Sequence, residues 1–378
     1  MKCNKWTLAL ATAGVVSFGS VVQAEEAKSM VMTALSATTL SGYVDTSAIW
    51  NFSSHANAVP GRVADGVDKQ DGFNLNVVKL SIGRAADAAS FAAGYQVDLF
   101  FGPDAHTFGT TSTGVHTSDF AVKNANVTLR APIGHGIDLR IGVWDTIIGM
   151  ESFDAPNNPN YSRSYGNFIE PTTHTGVLAS YVVNESIQVA GGVAETGGSR
   201  INFRSAKDQV KTYLASVTVT APSGTGPLAG SKLFAGVIDN GVDGTDDVIN
   251  YYLGAALKTP MENLAVGVSG DLRKNALGNG SEEYAIGVYA SLKVDDKLTL
   301  NARGELARAQ DAAVGIGATG LKRVWGATLT ADYSLWDNVI SRAELRYDKA
   351  NSIVAGGGFG DGTDDTAISL ALNVIYKF

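Results

Sequence analysis

Cysteine is almost missing from this chain: one residue, Cys3, in 378. It stands ahead of the apolar run that begins at Trp6, whereas lipid attachment needs a cysteine at the cleavage point. Without its leader the chain has no thiol. That excludes a disulfide framework, thiol catalysis and a cysteine-based zinc site. Proline is scarce, at 9 against 43 glycines, a balance that suits many strands joined by turns. After residue 24 no apolar run is long enough for a membrane helix, so any crossing must be made by strands. Basic residues are the minority, 29 against 37 acidic, for a formal net charge of -8. A nucleic-acid binder would need a basic face, and this composition argues against one. The length admits one large barrel or two ordinary domains.

The start of the chain has the pattern of a secretory signal. Lys2 and Lys5 are basic, Trp6 to Val22 is apolar or small without charge, and Val22-Gln23-Ala24 offers a cleavage point before Glu25 and Glu26. The expected organisation is a leader over 1–24, a periplasmic lead-in over 25–39 and a transmembrane barrel over 40–378. Removal of the leader leaves 27 basic against 37 acidic residues.

The other end carries the clearest period. From Ile368 to Phe378 every even position is large and apolar, while Ser369, Ala371, Asn373 and Lys377 fill the odd ones, with Ile375 the exception. A period of two is a strand with one greasy and one wetter face, and this one is long enough to cross a bilayer at a tilt. Tyr376 and Phe378 would lie at the interfacial belt of a barrel-closing strand. The final strand of a soluble sandwich would share the alternation, so the remaining chain decides.

Sixteen strand candidates follow from Leu40: 40–51, 73–84, 91–101, 119–131, 136–147, 173–183, 185–196, 210–221, 231–239, 248–259, 263–273, 283–293, 297–308, 322–333, 338–348 and 366–378. Most alternate. In 297–308, Leu298, Leu300, Ala302 and Leu306 oppose Lys297, Thr299, Asn301, Arg303 and Glu305. So many half-charged strands without a helical stretch between them favour an all-β, antiparallel up-and-down transmembrane barrel of about sixteen strands, apolar outside and polar inside. Eight long connections alternate with seven shorter ones, as an even barrel with both termini on the periplasmic side requires. Aromatic residues near strand ends, Trp50, Phe52, Trp144, Tyr181, Tyr213, Trp325 and Tyr333, suit interfacial girdles or ordinary cross-strand packing.

Three stretches also resemble a known family. Leu40 to Ser47, Gly72 to Leu80 and Tyr95 to Pro103 look like the opening strands of the OmpL-like β-barrel porins. Glu151-Ser152-Phe153 through Tyr165, with Glu170-Pro171 and His174-Thr175-Gly176, looks like that family's third long loop and re-entry strand. The resemblance covers nearly the whole mature chain. It implies a bacterial outer-membrane porin, a water-filled channel for passive diffusion of ions and small hydrophilic solutes, with no cofactor and no catalytic residues.

The longest connection, 148–172, holds Glu151, Asp154, Arg163 and Glu170 and is stiffened by Pro156, Pro159 and Pro171. It is expected to fold into the lumen as the constriction; an external flap is the alternative. The pore wall would carry Lys79, Asp98, Arg130, Asp138, Arg140, Arg303, Glu305, Arg342, Glu344 and Arg346 on polar faces. Mixed charge of this kind sets up a transverse field that tunes solute passage, or simply pairs with itself and keeps the lumen wet. Arg130 and Arg140, on strands joined by a short turn, would stand together and face loop carboxylates. The inner wall shows no clear ion preference, and the acidic net charge leans slightly towards cations. Expected partners are outer-membrane lipid and lipopolysaccharide, the assembly machinery through the C-terminal strand, and two further copies in a homotrimer, with Ala302, Gly304 and Ala343 as small outward residues. The acidic segments 239–247 and 361–365 and the histidines His55, His106, His116 and His174 are read as solvated loop residues, with no metal site assigned. A closed structural or adhesive barrel, and an enzyme built on a barrel, remain as other readings.

Overall fold

The computed structural model describes residues 31–32, 38–52, 71–110, 118–195, 200–202, 210–241, 247–275, 280–310, 321–353, 358–359 and 364–378. The leader and most of the lead-in fall outside them, as do His55, His116 and most of the two acidic tips. Sixteen long strands follow: β1 (Thr39–Asn51), β2 (Gly72–Arg84), β3 (Ala93–Phe101), β4 (Phe120–Ala131), β5 (Ile137–Asp145), β6 (Thr173–Val182), β7 (Ile187–Ala194) and β8 (Thr212–Thr220). The second half is β9 (Lys232–Asn240), β10 (Val248–Lys258), β11 (Leu264–Lys274), β12 (Glu282–Lys293), β13 (Leu298–Ala309), β14 (Leu321–Tyr333), β15 (Val339–Ile353) and β16 (Thr366–Lys377).

Each strand pairs antiparallel with the next, and β16 returns to β1 with Asn373 opposite Ser47 and Tyr376 opposite Val44. The sheet is therefore closed. The seam is finished by Phe378, whose carbonyl accepts from Gly42 N–H at 2.8 Å while its own N–H donates to Gly42 O at 3.0 Å. A β-carbon on Gly42 would collide with the carbonyl of Lys79, so glycine permits the close approach there.

The alternation read from the sequence sorts the two faces. On β16 Ile368, Leu372, Val374 and Tyr376 are exposed, and Ser369, Ala371, Asn373 and Ile375 are buried. Ile375 is an exception to polarity but not to direction: it packs inside against Tyr43, Val77, Phe100 and Ile340. On β14 Thr328, Thr330 and Asp332 are buried while Leu329 is 62% exposed. A large apolar side chain that exposed, repeated on nearly every strand, makes the outer face a lipid contact.

Long and short connections alternate along most of the chain, and the short ones share an end with the C-terminus; the connection 221–231 is the exception, longer than the 241–247 loop that follows it. Some boundaries differ. β15 runs on to Ile353 rather than stopping near 348, and the turn after β6 spans 183–186 rather than one residue. Trp144 is also corrected. Alternation from Asp138 and Arg140 turns it inward, where it is 1% exposed and packs with Leu178, Leu214, Phe234, Ile238 and Tyr252, away from the interfacial belt.

Candidate pore constriction

The connection between β5 and β6, residues 146–172, is built on itself before it meets the wall. Asn158 folds back: its Nδ2 donates to the carbonyls of Ser152 (2.7 Å) and Asp154 (3.0 Å), and its Oδ1 accepts from Ser152 N–H at 2.8 Å. Pro156 sits in a single 3-10 turn, Ala155–Asn157. A one-turn helix α1 (Tyr165–Ile169) starts at Ser164, whose hydroxyl accepts from Asn167 N–H. Arg163 ties the two arms together. Its guanidinium donates to the carbonyls of Ser152, Tyr161 and Phe153 at 3.0, 2.8 and 3.0 Å. It staples the loop rather than offering its charge to a passing solute.

The loop then meets buried charged residues of the barrel wall on two fronts. On the first, Asp154 accepts from Lys79 Nζ and Lys123 Nζ at 2.9 Å each and from Tyr43 Oη at 2.9 Å. Lys123 also pairs with Asp145 at 2.6 Å, and Lys79 with Asp98 at 3.3 Å. Burial alone would raise the Asp154 carboxyl, but the two ammonium groups outweigh it and hold that carboxyl well below the ordinary range. Phe153 packs beside this pair on Phe100 and Phe108, with ring centroids 5.8 and 4.7 Å away.

On the second front the wall grips loop backbone. Arg303 donates to Glu151 at 2.9 Å, Glu305 at 3.0 Å and the Ser162 carbonyl at 2.7 Å. Arg346 donates to the Arg163 carbonyl at 2.6 Å and pairs with Asp348 at 2.8 Å. Arg342 reaches the carbonyls of Ala155 and Asn158 at 3.1 and 2.6 Å. Glu344 accepts the N–H groups of Tyr161 and Ser162 at 2.6 and 2.9 Å, and Glu305 accepts that of Tyr165 at 2.6 Å. Charge-assisted bonds of this kind are about twice as strong as neutral ones, and together they satisfy backbone groups that burial would otherwise leave bare. The opposite flank of the loop is apolar: Ile147 and Ile148 lie on the Trp144 and Leu178 cluster.

A third attachment is a carboxyl pair. Glu170, at the exit of α1, is hydrogen-bonded to Asp271 of β11. Burial, the facing Asp271 and the more distant Glu151 push the Glu170 carboxyl well above its ordinary range, so the pair holds a shared proton. The sign is that of a raised carboxyl: its contribution is complete at acid pH and is lost as pH climbs from the ordinary carboxylate range through the raised value. Loop attachment at this end should therefore weaken with rising pH. Glu170→Gln should flatten the dependence, read as protease nicking of the loop across a pH series. An unchanged series would refute the shared proton. Beside Glu170 lies a small recess, with room for about one water, lined by Asp145, Thr146, Glu151, Phe153 and Asn167.

Of the wall residues expected from the sequence, Lys79, Asp98, Arg303, Glu305, Arg342, Glu344 and Arg346 meet in the two fronts around the loop. Arg130, Asp138 and Arg140 do not. Arg130 lies opposite Asp138 in the ladder and pairs with it at 3.0 Å, while Arg140 lies opposite Thr128. Arg140 is thus the diagonal neighbour of Arg130, with Asp138 set between their charges, and neither arginine pairs with a loop carboxylate: Glu151 and Asp154 are taken by Arg303 and by Lys79 with Lys123. His106 reaches Asp119 at 2.8 Å, and among the described residues no cluster suited to a metal ion occurs.

Among the residues missed in the sequence, Lys123 and Asn76 share a cause: both are extra residues of β-bulges. Between β3 and β4 the register skips Lys123, with Asp98 opposite Asn124 and Leu99 opposite Val122. Between β1 and β2 it skips Asn76 in the same way. Strict alternation puts Lys123 on the outer face. The bulge re-aims it inward, where it is fully buried among carboxylates. Asn76, also fully buried, donates to Asp45 at 3.0 Å.

The fold has many solved counterparts. The outer-membrane channel DcaP of Acinetobacter baumannii is 12% identical, with a TM-score of 0.61 over 92% of this chain and 99% of that one. Outer-membrane-expressed OmpT of Vibrio cholerae is 17% identical, with a TM-score of 0.56 over 93% and 100%. The anion-selective porin from Comamonas acidovorans is 14% identical, with a TM-score of 0.58 over 90% and 99%. No curated protein matches the chain by sequence. Residues 37–378 match the beta-barrel porin-2, OmpL-like family, which is nearly all of the chain past its start. The chain belongs to the OmpL-like β-barrel porins of the outer membrane.

Proposed function

We propose that in this porin residues 148–172 fold into the barrel and narrow the water-filled channel, so that the loop sets the size limit for passively diffusing ions and small hydrophilic solutes. The observation that carries this is the grip of Arg303, Arg342, Glu344 and Arg346 on the loop backbone. All four lie on the buried face of β13 and β15, the face opposite the lipid-contacting residues. The loop charges Glu151, Asp154 and Arg163 then act mainly as anchors, and Glu170 holds the loop exit to β11. The chain transports without catalysing. A leader over 1–24 directs its export, and the strand ending at Tyr376 and Phe378 is its handle for the assembly machinery.

Lipid and lipopolysaccharide would meet the exposed apolar band. A homotrimer is the assembly we favour. OmpT of Vibrio cholerae has been solved in a trimer form. Gly304 opens outward with nothing within 4 Å of an added β-carbon, beside Ala302 and, two strands on, Ala343. Planar-bilayer conductance of refolded residues 25–378 tests the central reading. Stable open steps are expected. Silence from a folded, heat-resistant barrel would overturn it in favour of a closed structural or adhesive barrel.

A further inference from the structure

We infer that the short-turn mouth of the lumen carries an anion-binding patch formed by Lys232 and Lys258, and that this patch gives the channel a preference for small anions. The inference deepens the porin reading and rests on it. The faces are fixed by packing. On β9, Phe234 and Ile238 are buried, and a β-carbon on Gly236 would collide with Ile148 of the loop, so even positions face the lumen. Lys232 shares that face. On β10, Tyr252 and Ala256 are buried on the even positions and Tyr251 and Leu253 are exposed on the odd ones, which turns Lys258 to the lumen as well.

Lys232 lies opposite Ala256, so Lys258 is its diagonal neighbour across the ladder, about 7–8 Å away by backbone spacing. Lys258 is also the charged group that acts on Lys232. Like charges placed together on one sheet face are destabilising, and an acid between them is the usual remedy. Here none is supplied: among the described residues neither lysine has a carboxylate within ion-pair distance. The acids on nearby short turns, Glu185 and Glu262, are exposed. Several other inward cations, Lys79, Lys123, Arg130, Arg273, Arg303, Arg342 and Arg346, each have a carboxylate.

Thr220 of β8 lies opposite Lys232 on the same face, so the patch offers two ammonium groups and a hydroxyl with no carboxylate. Its complement is a small anion such as chloride, a carboxylate or phosphate. Fixed positive charge at a mouth raises the local concentration of such ions. The acidic net charge does not oppose this, because inward acids such as Asp98, Asp138, Glu283, Glu305, Asp332 and Asp348 are already paired with cations.

Chloride is the probe. With the refolded mature chain in a potassium chloride gradient, the reversal potential should show chloride favoured over potassium. Lys232→Gln with Lys258→Gln should cut that permeability ratio by about threefold or more, in line with the local field of two charges. The arginine pair at the same positions should retain it, and Lys258→Gln alone, at an exposed site, guards against a folding defect in the double variant. A potassium-selective wild type, or a glutamine pair with the wild-type ratio, overturns the inference alone. A folded protein that opens no channel overturns the porin reading and the inference with it.

Discussion

Deletion of residues 152–168 should raise single-channel conductance by about threefold and lift the solute size limit, because constriction geometry governs passage. The segment removed includes Phe153, Asp154, Arg163 and Tyr165, the side chains and backbone that occupy the two fronts of the wall. The barrel should survive. Its fifteen ladders between consecutive strands and the β16–β1 seam use no loop residue. The charges left behind, Arg303, Arg342, Glu344 and Arg346, would face water in a widened lumen, where they need no partner to remain ionised. Conductance and cutoff equal to the wild type would place the loop outside the pore and overturn its assignment as the constriction.

Arg303→Met should free the loop without removing it. Arg303 is buried and bridges Glu151 of the loop to Glu305 of its own strand, with further bonds to Ser162. Taking one partner from a buried ion cluster costs about 3–5 kcal/mol, because the carboxylates left behind are uncompensated. Glu305 keeps Arg346 at 3.4 Å, so the loss falls mainly on Glu151 and the loop. The expected result is a noisy channel with frequent partial closures, faster protease cleavage within 150–165 and a lowered unfolding temperature. Arg303→Lys should restore little, since an ammonium cannot reproduce the fork of bonds to Glu151, Glu305 and two loop carbonyls. Combining Arg303→Met with Glu151→Gln should recover part of the loss, as coupled neighbours do. Quiet, wild-type currents from Arg303→Met would mean that the arginine cluster does not hold the loop.

The sequence alone determined the strands, their approximate number, most of the alternation of long and short connections and the direction of most side chains. The physical reason is that a strand between lipid and water must be apolar on every second residue, so the pattern is written locally, as in Ile368 to Phe378. It also singled out most of the charged wall, because Arg303, Glu305, Arg342, Glu344 and Arg346 are polar positions in clean alternation. What only the tertiary structure decided was how those charges are used. Arg163 turned onto its own loop, Arg130 met Asp138 across the ladder, and Trp144 left the interface for the lumen. Lys123 and Asn76 were hidden for a different reason. A β-bulge shifts parity by one residue, and nothing in a period of two announces where that shift occurs. The meeting of Asp154 with Lys79 and Lys123, or of Glu170 with Asp271, joins residues tens to a hundred positions apart. Such pairs exist because the barrel closes and the loop lies against one part of its wall, a fact of three dimensions that local periodicity does not contain.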